Sequence, residues 1–592
     1  MDILGISCFF HDASAVLLRD GEVIAAAEEE RFTRKKHDYS FPSHAIQFCL
    51  DRGGIRAEEL EYVAFFEKPF IKFERLLFSL LQTFPRSWHV FQDSMMSWLT
   101  DKLWVKNLIQ SKLGVPPTKI LFSEHHLSHA ASAFFCSPFD EAAILTVDGV
   151  GEWATATYGT GKGNNITLID EIRFPHSLGL LYSAFTAFLG FEVNEGEYKV
   201  MGMAPFGKPR YLDNVYKLID VDKDGSFQLD MDYFCFHHST DRTYNDKFLR
   251  LFGPARDPRS HFFTSGSGFP SYFGEKPSNY ALLAKENEHY ADIAASIQVA
   301  TEEILLKMAN HLHQKTGLKK LCMAGGVALN SVANGRILRE TPFEEIYVQP
   351  SAGDGGGAMG AALWAYHMVL GKPRKFVLEH AYWGHEYSPA SIEAFLRGEN
   401  IRYRTIEDDE RLLDQVVEQL AAGKVVGWFQ GRFEWGPRAL GNRSILADPR
   451  RADMKDIVNT KIKFREPFRP FAPSVLEEKT DAFFVLDQPT RHYPARFMLY
   501  VVDVKDKQRD VIPAITHVDG TGRLQTVSKK TNPRYYHLIE RFGDATGVPL
   551  VLNTSFNLKG EPIVNSPEEA FSTFSRCGMD TLVLDHCIVE KA

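Results

Sequence analysis

The sequence predicts an α/β fold in two or more domains, on three observations. Apolar, strand-like runs end in glycine turns that open helices, and this happens twice in the same form: Leu321-Cys-Met-Ala324 runs into Gly325-Gly326, and Glu345-Ile-Tyr-Val-Gln349 into Asp354-Gly-Gly-Gly357. Near the start, Ala13–Leu18 and Glu22–Ala26 are joined through Asp20-Gly21, a strong hairpin signal. The chain has 592 residues, too many for one core.

The elements follow in order. Asp2–Ser7 is apolar and strand-like, and the hairpin comes next. Glu28-Glu-Glu-Arg-Phe-Thr-Arg-Lys-Lys-His-Asp38 is polar and reads as a solvated charged loop. Residues 43–52 and 69–114 read mostly as helices, the second set carrying a Phe, Leu and Trp stripe suited to a core or a domain contact. Thr155–Tyr158 and Ile166–Ile169 are strands, and Phe174–Tyr182 leads into a helix ending near Gly190. Gly196–Gly207, with three glycines, one proline and Lys199, reads as a loop that either covers a phosphate or simply connects. Residues 220–280 are aromatic and irregular, as an insertion would be, and Tyr290–Thr316 is a long amphipathic helix. A domain boundary is expected near Gly371-Lys-Pro-Arg-Lys375, giving domains at 1–372 and 373–592.

Composition narrows the function classes. Apolar content of 44% and charged content of 24% are those of an ordinary soluble globular protein. A net charge of −9 disfavours a general nucleic-acid binder. None of the seven cysteines forms Cys-x-x-Cys, so they read as buried thiols of a reducing, cytoplasmic compartment. The opening Met1-Asp-Ile-Leu-Gly-Ile begins a strand rather than a signal peptide, and no apolar run reaches membrane-spanning length.

Four residues suggest a metal centre. His125 and His129 stand at i and i+4, which on a helix puts both imidazoles on one face, about 6 Å apart. Asp148 ends the run Ala142–Val147, and Asp354 closely follows the run at 345–349. Two imidazoles and two carboxylates just past strands suit a divalent ion of the iron, manganese or zinc type. A lone His-x-x-x-His is more often a packed pair, and the two carboxylates shift that balance. Gly325, Gly326, Gly355 and Gly356 are turn positions where backbone approaches a flat base or phosphate closely, and the helix start after Asp354 favours an anion through free amides and the dipole.

In the second half, Val425–Phe429 is a strand after a helix at 408–422. Arg432, Arg438, Arg443, Arg450, Arg451, Lys461, Lys463, Arg465 and Arg469 then crowd into one short region among Gly, Pro and Phe. Guanidinium groups there suit phosphate oxygens better than a plain solvated face would. Asp519–Gln525 adds Arg523, and Val548–Asn557 is a buried strand with polar residues at its end, Asn553 and Ser555 among them.

His11-Asp-Ala-Ser-Ala15, His125-x-x-x-His129, Asp148-Gly-x-Gly-Glu152, Gly196–Gly202, Gly325–Asn330 and Gly353-Asp-Gly355 occur in one order over essentially the whole chain. In that order the sequence resembles the nodulation-protein and antibiotic-biosynthesis O-carbamoyltransferases. The resemblance implies an N-terminal actin-like ATPase domain (ASKHA, threonylcarbamoyl transferase-like) and a C-terminal α+β YrdC-like domain. It implies that His125, His129, Asp148 and Asp354 bind a metal, usually iron, with Mn²⁺ or Zn²⁺ as alternatives. It implies that Gly325, Gly326 and Asn330 hold adenosine, with Lys199, Gly355 and Gly356 beside the nucleotide. The second domain is expected to bind carbamoyl phosphate and ATP with Mg²⁺, through Arg438, Lys463, Arg465, Arg469, Arg523, Asn553 and Ser555.

The expected activity forms carbamoyl-AMP from carbamoyl phosphate and ATP, then passes the carbamoyl group to a hydroxyl of a natural product or sugar. His11 is the candidate general base, with Asp12 beside it, and Lys36 a candidate for holding acceptor or phosphate. The expected partner is a small-molecule hydroxyl acceptor, with no nucleic acid and no membrane, and a homodimer is compatible with the sequence. Two alternatives compete: a threonylcarbamoyl-type tRNA modification enzyme, which the net charge disfavours, and a nucleotide-driven actin- or chaperone-like binding protein, which would leave the histidine pair and the arginine cluster without a purpose.

Overall fold

The computed structural model of the chain describes residues 1–100, 102–269, 273–466 and 468–591. The chain divides into two compact units. The first holds Met1–Ala26, Tyr39–Gly268 and Pro277–Val377; the second holds Ala27–Asp38, Phe269–Lys276 and Leu378–Ala592.

The first unit contains two five-stranded sheets built to one plan. The first takes β1 (Asp2–Ser7), β2 (Ser14–Arg19), β3 (Glu22–Glu28), β4 (Tyr62–Phe65) and β5 (Ile120–Phe122), in the order β3-β2-β1-β4-β5. Strands β1 and β2 are antiparallel, whereas β4 lies parallel to β1 and β5 parallel to β4. The second sheet takes β6 (Glu141–Val147), β7 (Ala154–Lys162) and β8 (Asn165–Arg173). After the small hairpin of β9 (Ile219–Val221) and β10 (Phe227–Leu229), it adds β11 (Lys320–Ala324) and β12 (Glu345–Val348). Its order is β12-β11-β6-β7-β8, again an antiparallel meander with two strands added parallel to the first. The two sheets thus repeat one strand order, the arrangement expected of an actin-like unit. Central β1 and β6 are buried almost throughout, as their unbroken apolar runs require.

Helices cover the sheets. The Gly355–Trp364 helix, GGGAMGAALW, is buried over its first nine residues. Its composition follows from two close approaches. A Cβ on Gly360 would lie 1.8 Å from the Ser128 carbonyl oxygen of the His125–Phe134 helix, and one on Gly5 of β1 would lie 1.9 Å from the Ala358 carbonyl oxygen. Small residues are what lets this helix sit against a strand and a second helix at once.

The second unit is α+β. Its strands are β13 (Arg404–Thr405), β14 (Val426–Phe429), β15 (Arg443–Ala447), β16 (Ala472–Leu476), β17 (Tyr500–Asp503), β18 (Thr521–Val527), β19 (Leu550–Ser555), β20 (Thr581–Leu584) and β21 (Cys587–Glu590). They form one mixed nine-stranded sheet, β13-β21-β20-β14-β15-β19-β16-β18-β17. Helices Asp409–Ala421 and Pro533–Thr546 pack Leu413, Leu420, Leu538 and Phe542 against Trp428 and Val551 of the sheet.

Several readings need correcting. The polar run at 28–38 is not a solvated loop: Glu28, Glu29, Arg31 and Asp38 are buried, and the segment belongs to the second unit. Polarity in sequence does not separate a charge in water from one bonded to backbone inside a fold. The units therefore do not divide as 1–372 and 373–592; 27–38 and 269–276 go with the second, and the last crossing falls between Val377 and Leu378. Gly196–Gly207 is helical from Glu197 to Met203. The 220–280 stretch contains a hairpin and the Asp246–Phe252 helix, while 270–272 lie outside the described residues. The long helix starts earlier, at Tyr280, and runs to Thr316. Among the described residues no helix is long and apolar enough to cross a membrane.

Candidate metal centre and anion site

The metal candidates converge. His125 opens the His125–Phe134 helix, and its first backbone N–H donates to both oxygens of Glu152, at 3.0 and 3.1 Å. The helix has no cap from its own preceding side chain, so a carboxylate from the Asp148–Glu152 turn supplies one. Gly151 permits this approach, since a Cβ there would lie 2.9 Å from the His125 ring. Asp148 follows β6, and Asp354 immediately precedes the small-residue helix that packs on β1.

The four ligand atoms lie within 4.8 Å of one another, and all four residues are buried. Nε2 of His125 and Nε2 of His129 are 3.0 Å apart. His125 Nε2 lies 3.2 Å from Asp148 Oδ2 and 3.6 Å from Asp354 Oδ1, and His129 Nε2 lies 3.4 Å from Asp354 Oδ1. Asp148 Oδ1 accepts the Gly326 N–H at 2.7 Å, which turns Oδ2 toward the imidazoles. Neither oxygen of Asp354 accepts a well-formed hydrogen bond from a described residue, although both are buried. A buried carboxylate left so is costly unless a cation completes it. The N₂O₂ donor set therefore fits a divalent ion of the iron, manganese or zinc kind.

Electrostatics agree with the geometry. Burial opposes ionisation of Asp148, but its bonds to His125 and His129 hold its carboxyl well below the usual range. Burial lowers the pKa of His129, yet the close carboxylates of Asp148 and Asp354 overcome this and raise it to about 9. Neighbouring His126 goes the other way: burial, then the charges of His125 and His129, push it down to about 3, and its Nδ1 meets Thr146 Oγ1 at 2.6 Å. It is a neutral structural residue.

His11 stands at the edge of the cluster. Its Nε2 lies 3.8 Å from Asp354 Oδ2, and its Nδ1 is 3.0 Å from Asp12 Oδ2. Burial lowers its pKa, but Asp354 and Asp12 outweigh burial and raise it to about 10. With Asp354 uncompensated, His11 is an imidazolium. Lys36, paired with it in the sequence reading, belongs to the second unit, where its charge is felt at Lys463.

The nucleotide candidates have mixed placements. Gly326 serves Asp148, and Gly325 lies beside the Val147 backbone with φ +94°. Asn330 caps the Ser331–Glu340 helix and exchanges amide bonds with Gln298 at 3.1 and 3.2 Å. Gly355 accepts the Ser14 hydroxyl at 2.7 Å. The amides expected to be free at that helix start are partly spent, since Gly356 and Gly357 donate to the carbonyls of Gly353 and Asp354. Lys199 lies on the Glu197–Met203 helix with its ammonium 5.7 Å from the Phe191 ring centre.

Sequence reasoning missed a buried pair beside the centre. Lys72, on the helix read as an apolar stripe, bonds Glu67 at 2.6 Å, and the same Glu67 oxygen is 3.8 Å from His125 Nδ1. Arg75, one turn on, donates to the Gly151 carbonyl. The signal was two cations on the buried face of an aromatic helix.

In the second unit, several members of the basic cluster are tied up inside the fold. Arg443 is fully buried, donates to the Gln430 and Asn442 carbonyls and stacks 3.6 Å over Phe429. Arg450 pairs with Asp448, and Arg451 with Asp453. Lys463 spends its ammonium on Ser555 and Asn557. Burial, then Arg465 and Arg469, drives its pKa down. Arg465 bonds Asn459 and packs on Phe471, and Arg469 sits 3.6 Å from Glu466. Arg438 and Arg523 lie close enough that burial, then the Arg523 charge, pushes the Arg438 pKa down. Two half-buried guanidiniums that repel one another favour a nearby anion. Asn553 donates to Ala439, Ser474 and Gln525, while its Oδ1 accepts nothing from a described residue. The Ser555 hydroxyl donates to Asn557.

Two sheets of one strand order with a buried histidine–aspartate cluster, and an α+β unit with clustered arginines, suit an enzyme that moves a charged group. The model of the carbamoyltransferase N-terminus matches residues 2–363, and that of the carbamoyltransferase C-terminus matches 417–591. The chain belongs to this carbamoyltransferase family. It is 47% identical to the uncharacterized protein sll1178 of Synechocystis sp., over 100% of this chain and 96% of that one. It is 38% identical to nodulation protein NolNO of Sinorhizobium fredii, over 98% of this chain and 79% of that one. Over 41% of this chain and 44% of the other, it is 35% identical to 3'-hydroxymethylcephem-O-carbamoyltransferase of Streptomyces clavuligerus.

Proposed function

We propose that this carbamoyltransferase is an ATP-dependent O-carbamoyltransferase acting on a hydroxyl of a natural product or sugar. Support for the acceptor class comes from the named relatives, a cephem O-carbamoyltransferase and a nodulation protein. The observation that carries the reading is the buried quartet His125, His129, Asp148 and Asp354, with His11 at its edge.

In the first step, carbamoyl phosphate, ATP and one water give carbamoyl-AMP, phosphate and pyrophosphate. Arg438 and Arg523 hold the phosphate-bearing substrates in the second unit, and Mg²⁺ accompanies ATP. In the second step, the acceptor oxygen attacks the carbamoyl carbon and AMP departs. The quartet would hold a divalent metal, Fe²⁺ by preference, and such an ion would supply Lewis acidity there. His11 takes the hydroxyl proton. It does so once the Asp354 charge is neutralised and no longer holds the imidazole protonated. Asp12 orients the ring through Nδ1. Gly325, Gly326 and Asn330 line the adenosine side.

Exchange of labelled pyrophosphate into ATP, dependent on carbamoyl phosphate and without acceptor, tests the first step. Arg438→Ala is expected to remove it. His11→Asn is expected to keep exchange and lose at least a hundredfold in transfer. Normal transfer by that variant would remove His11 from the mechanism.

A further inference from the structure

The connection from β14 to β15, residues 430–442, has neither helix nor strand, yet it presents Arg438. A long irregular segment keeps one shape only if something holds its backbone. Its far end is held from within: Glu434, fully buried, accepts the N–H groups of Leu440 and Asn442 at 2.8 Å each and of Arg443 at 3.2 Å through Oε1.

Its near end is held by residues about four hundred positions earlier in the chain. Glu28 Oε1 accepts the Gly436 N–H at 2.7 Å. Arg31 Nη2 donates to the Gly436 carbonyl, also at 2.7 Å. The two side chains lie 3.5 Å apart and are 7% and 2% exposed, so a buried ion pair grips both polar groups of one peptide residue. Gly436 has φ +100°, a conformation few side chains adopt, and Pro437 and Arg438 follow it directly. Arg31 also lies flat over the Phe433 ring at 4.4 Å, which fixes the guanidinium plane. Arg34 anchors the same segment by donating to the Pro562 and Ile563 carbonyls at 2.8 and 2.6 Å. Removing two charges from water is expensive, and a loop needs only neutral donors and acceptors to be tied down. The retained ion pair points to a demand for exact placement.

We propose that Glu28 and Arg31 are positioning residues of the second unit's anion site: by fixing Gly436 they set Arg438, two residues on, to receive a phosphate-bearing substrate. This rests on the reading that Arg438 and Arg523 bind carbamoyl phosphate and ATP. The segment following the first hairpin thus completes a site within the second unit, to which it belongs. Neither residue touches the substrate.

The test uses the full-length, metal-loaded protein and carbamoyl-phosphate-dependent pyrophosphate exchange. Glu28→Gln with Arg31→Met removes the pair without stranding one buried charge. The expected result is a tenfold or greater rise in KM for carbamoyl phosphate, with kcat within threefold of the parent. General loss of structure would instead lower kcat through the active fraction and leave KM unchanged. Arg31→Lys keeps one donor to the Gly436 carbonyl but loses the guanidinium's contact with the Phe433 ring, and is expected to leave a smaller KM rise of about threefold; that rise carries the test if the double variant does not fold. Unchanged KM in every folded variant, beside a parent that exchanges and an Arg438→Ala that does not, overturns the clamp alone. A parent without exchange overturns the anion-site reading, and the clamp falls with it.

Discussion

Asp354 sits fully buried beside two imidazoles and a second carboxylate, with neither oxygen held by a good hydrogen bond. Such a residue is arranged for an ion rather than for packing. Asp354→Asn is expected to cut bound metal from about one per chain to less than about a tenth, measured by elemental analysis, while far-UV circular dichroism stays unchanged. A pH dependence follows from His129, raised to about 9 by Asp148 and Asp354 against burial. The ion must displace that proton, so apparent metal affinity should climb about tenfold per pH unit between about pH 6.5 and 8.5. A chelator competition titration reads this directly, and a flat profile would mean a neutral His129. In the metal-free protein the same proton stabilises the fold. That contribution is complete below the unfolded value of 6.5 and is lost as pH rises through about 9. The thermal midpoint should therefore fall over this interval without metal, and fall less with it.

The centre is assembled by elements that are rigid for simple reasons. Two of its residues ride on the His125–Phe134 helix, and the third directly follows β6. The fourth precedes the Gly355–Trp364 helix, and the two helices meet where Gly360 faces the Ser128 carbonyl. Gly360→Ala would drive a methyl into that carbonyl and part the helices. A loss of about 3 kcal/mol in urea unfolding is expected. Metal affinity should fall with it, because Asp354 and the histidines lie on opposite sides of the contact. Full stability and metal content in this variant would show that the crossing does not set the ligand geometry. The histidine spacing and the strand-end aspartates were legible because both are local patterns with a fixed period. The Lys72–Glu67 pair and the Glu152 cap were not, since each depends on which face of a helix meets which turn.

At the scale of the whole molecule, the two compact units are not two segments of sequence. Residues 27–38 lie in the second unit, where Arg31 is buried among Glu28, Gly436 and Phe433. A fragment of 378–592 lacks Arg31 and Arg34 and exposes the ring and carbonyls they cover. Its urea midpoint is expected to lie below that of the same fragment carrying a fused 27–38 segment, by an amount worth about 2 kcal/mol or more. Equal midpoints would show that the segment is a passenger.

The chain by itself determined the histidine–aspartate cluster, the strand–glycine–helix turns and the family, because each is written in neighbouring residues and a short period. It also marked the arginine-rich stretch, but not which arginines were available. Only the tertiary structure decided that Arg443, Arg450, Arg451 and Lys463 are spent inside the fold. It likewise decided that a polar run after the first hairpin is a buried clamp, and that the two sheets repeat one order. The physical reason is common to all of these. A charge has the same local sequence whether it meets water, a carboxylate or a backbone carbonyl hundreds of residues away, and only folding chooses among them.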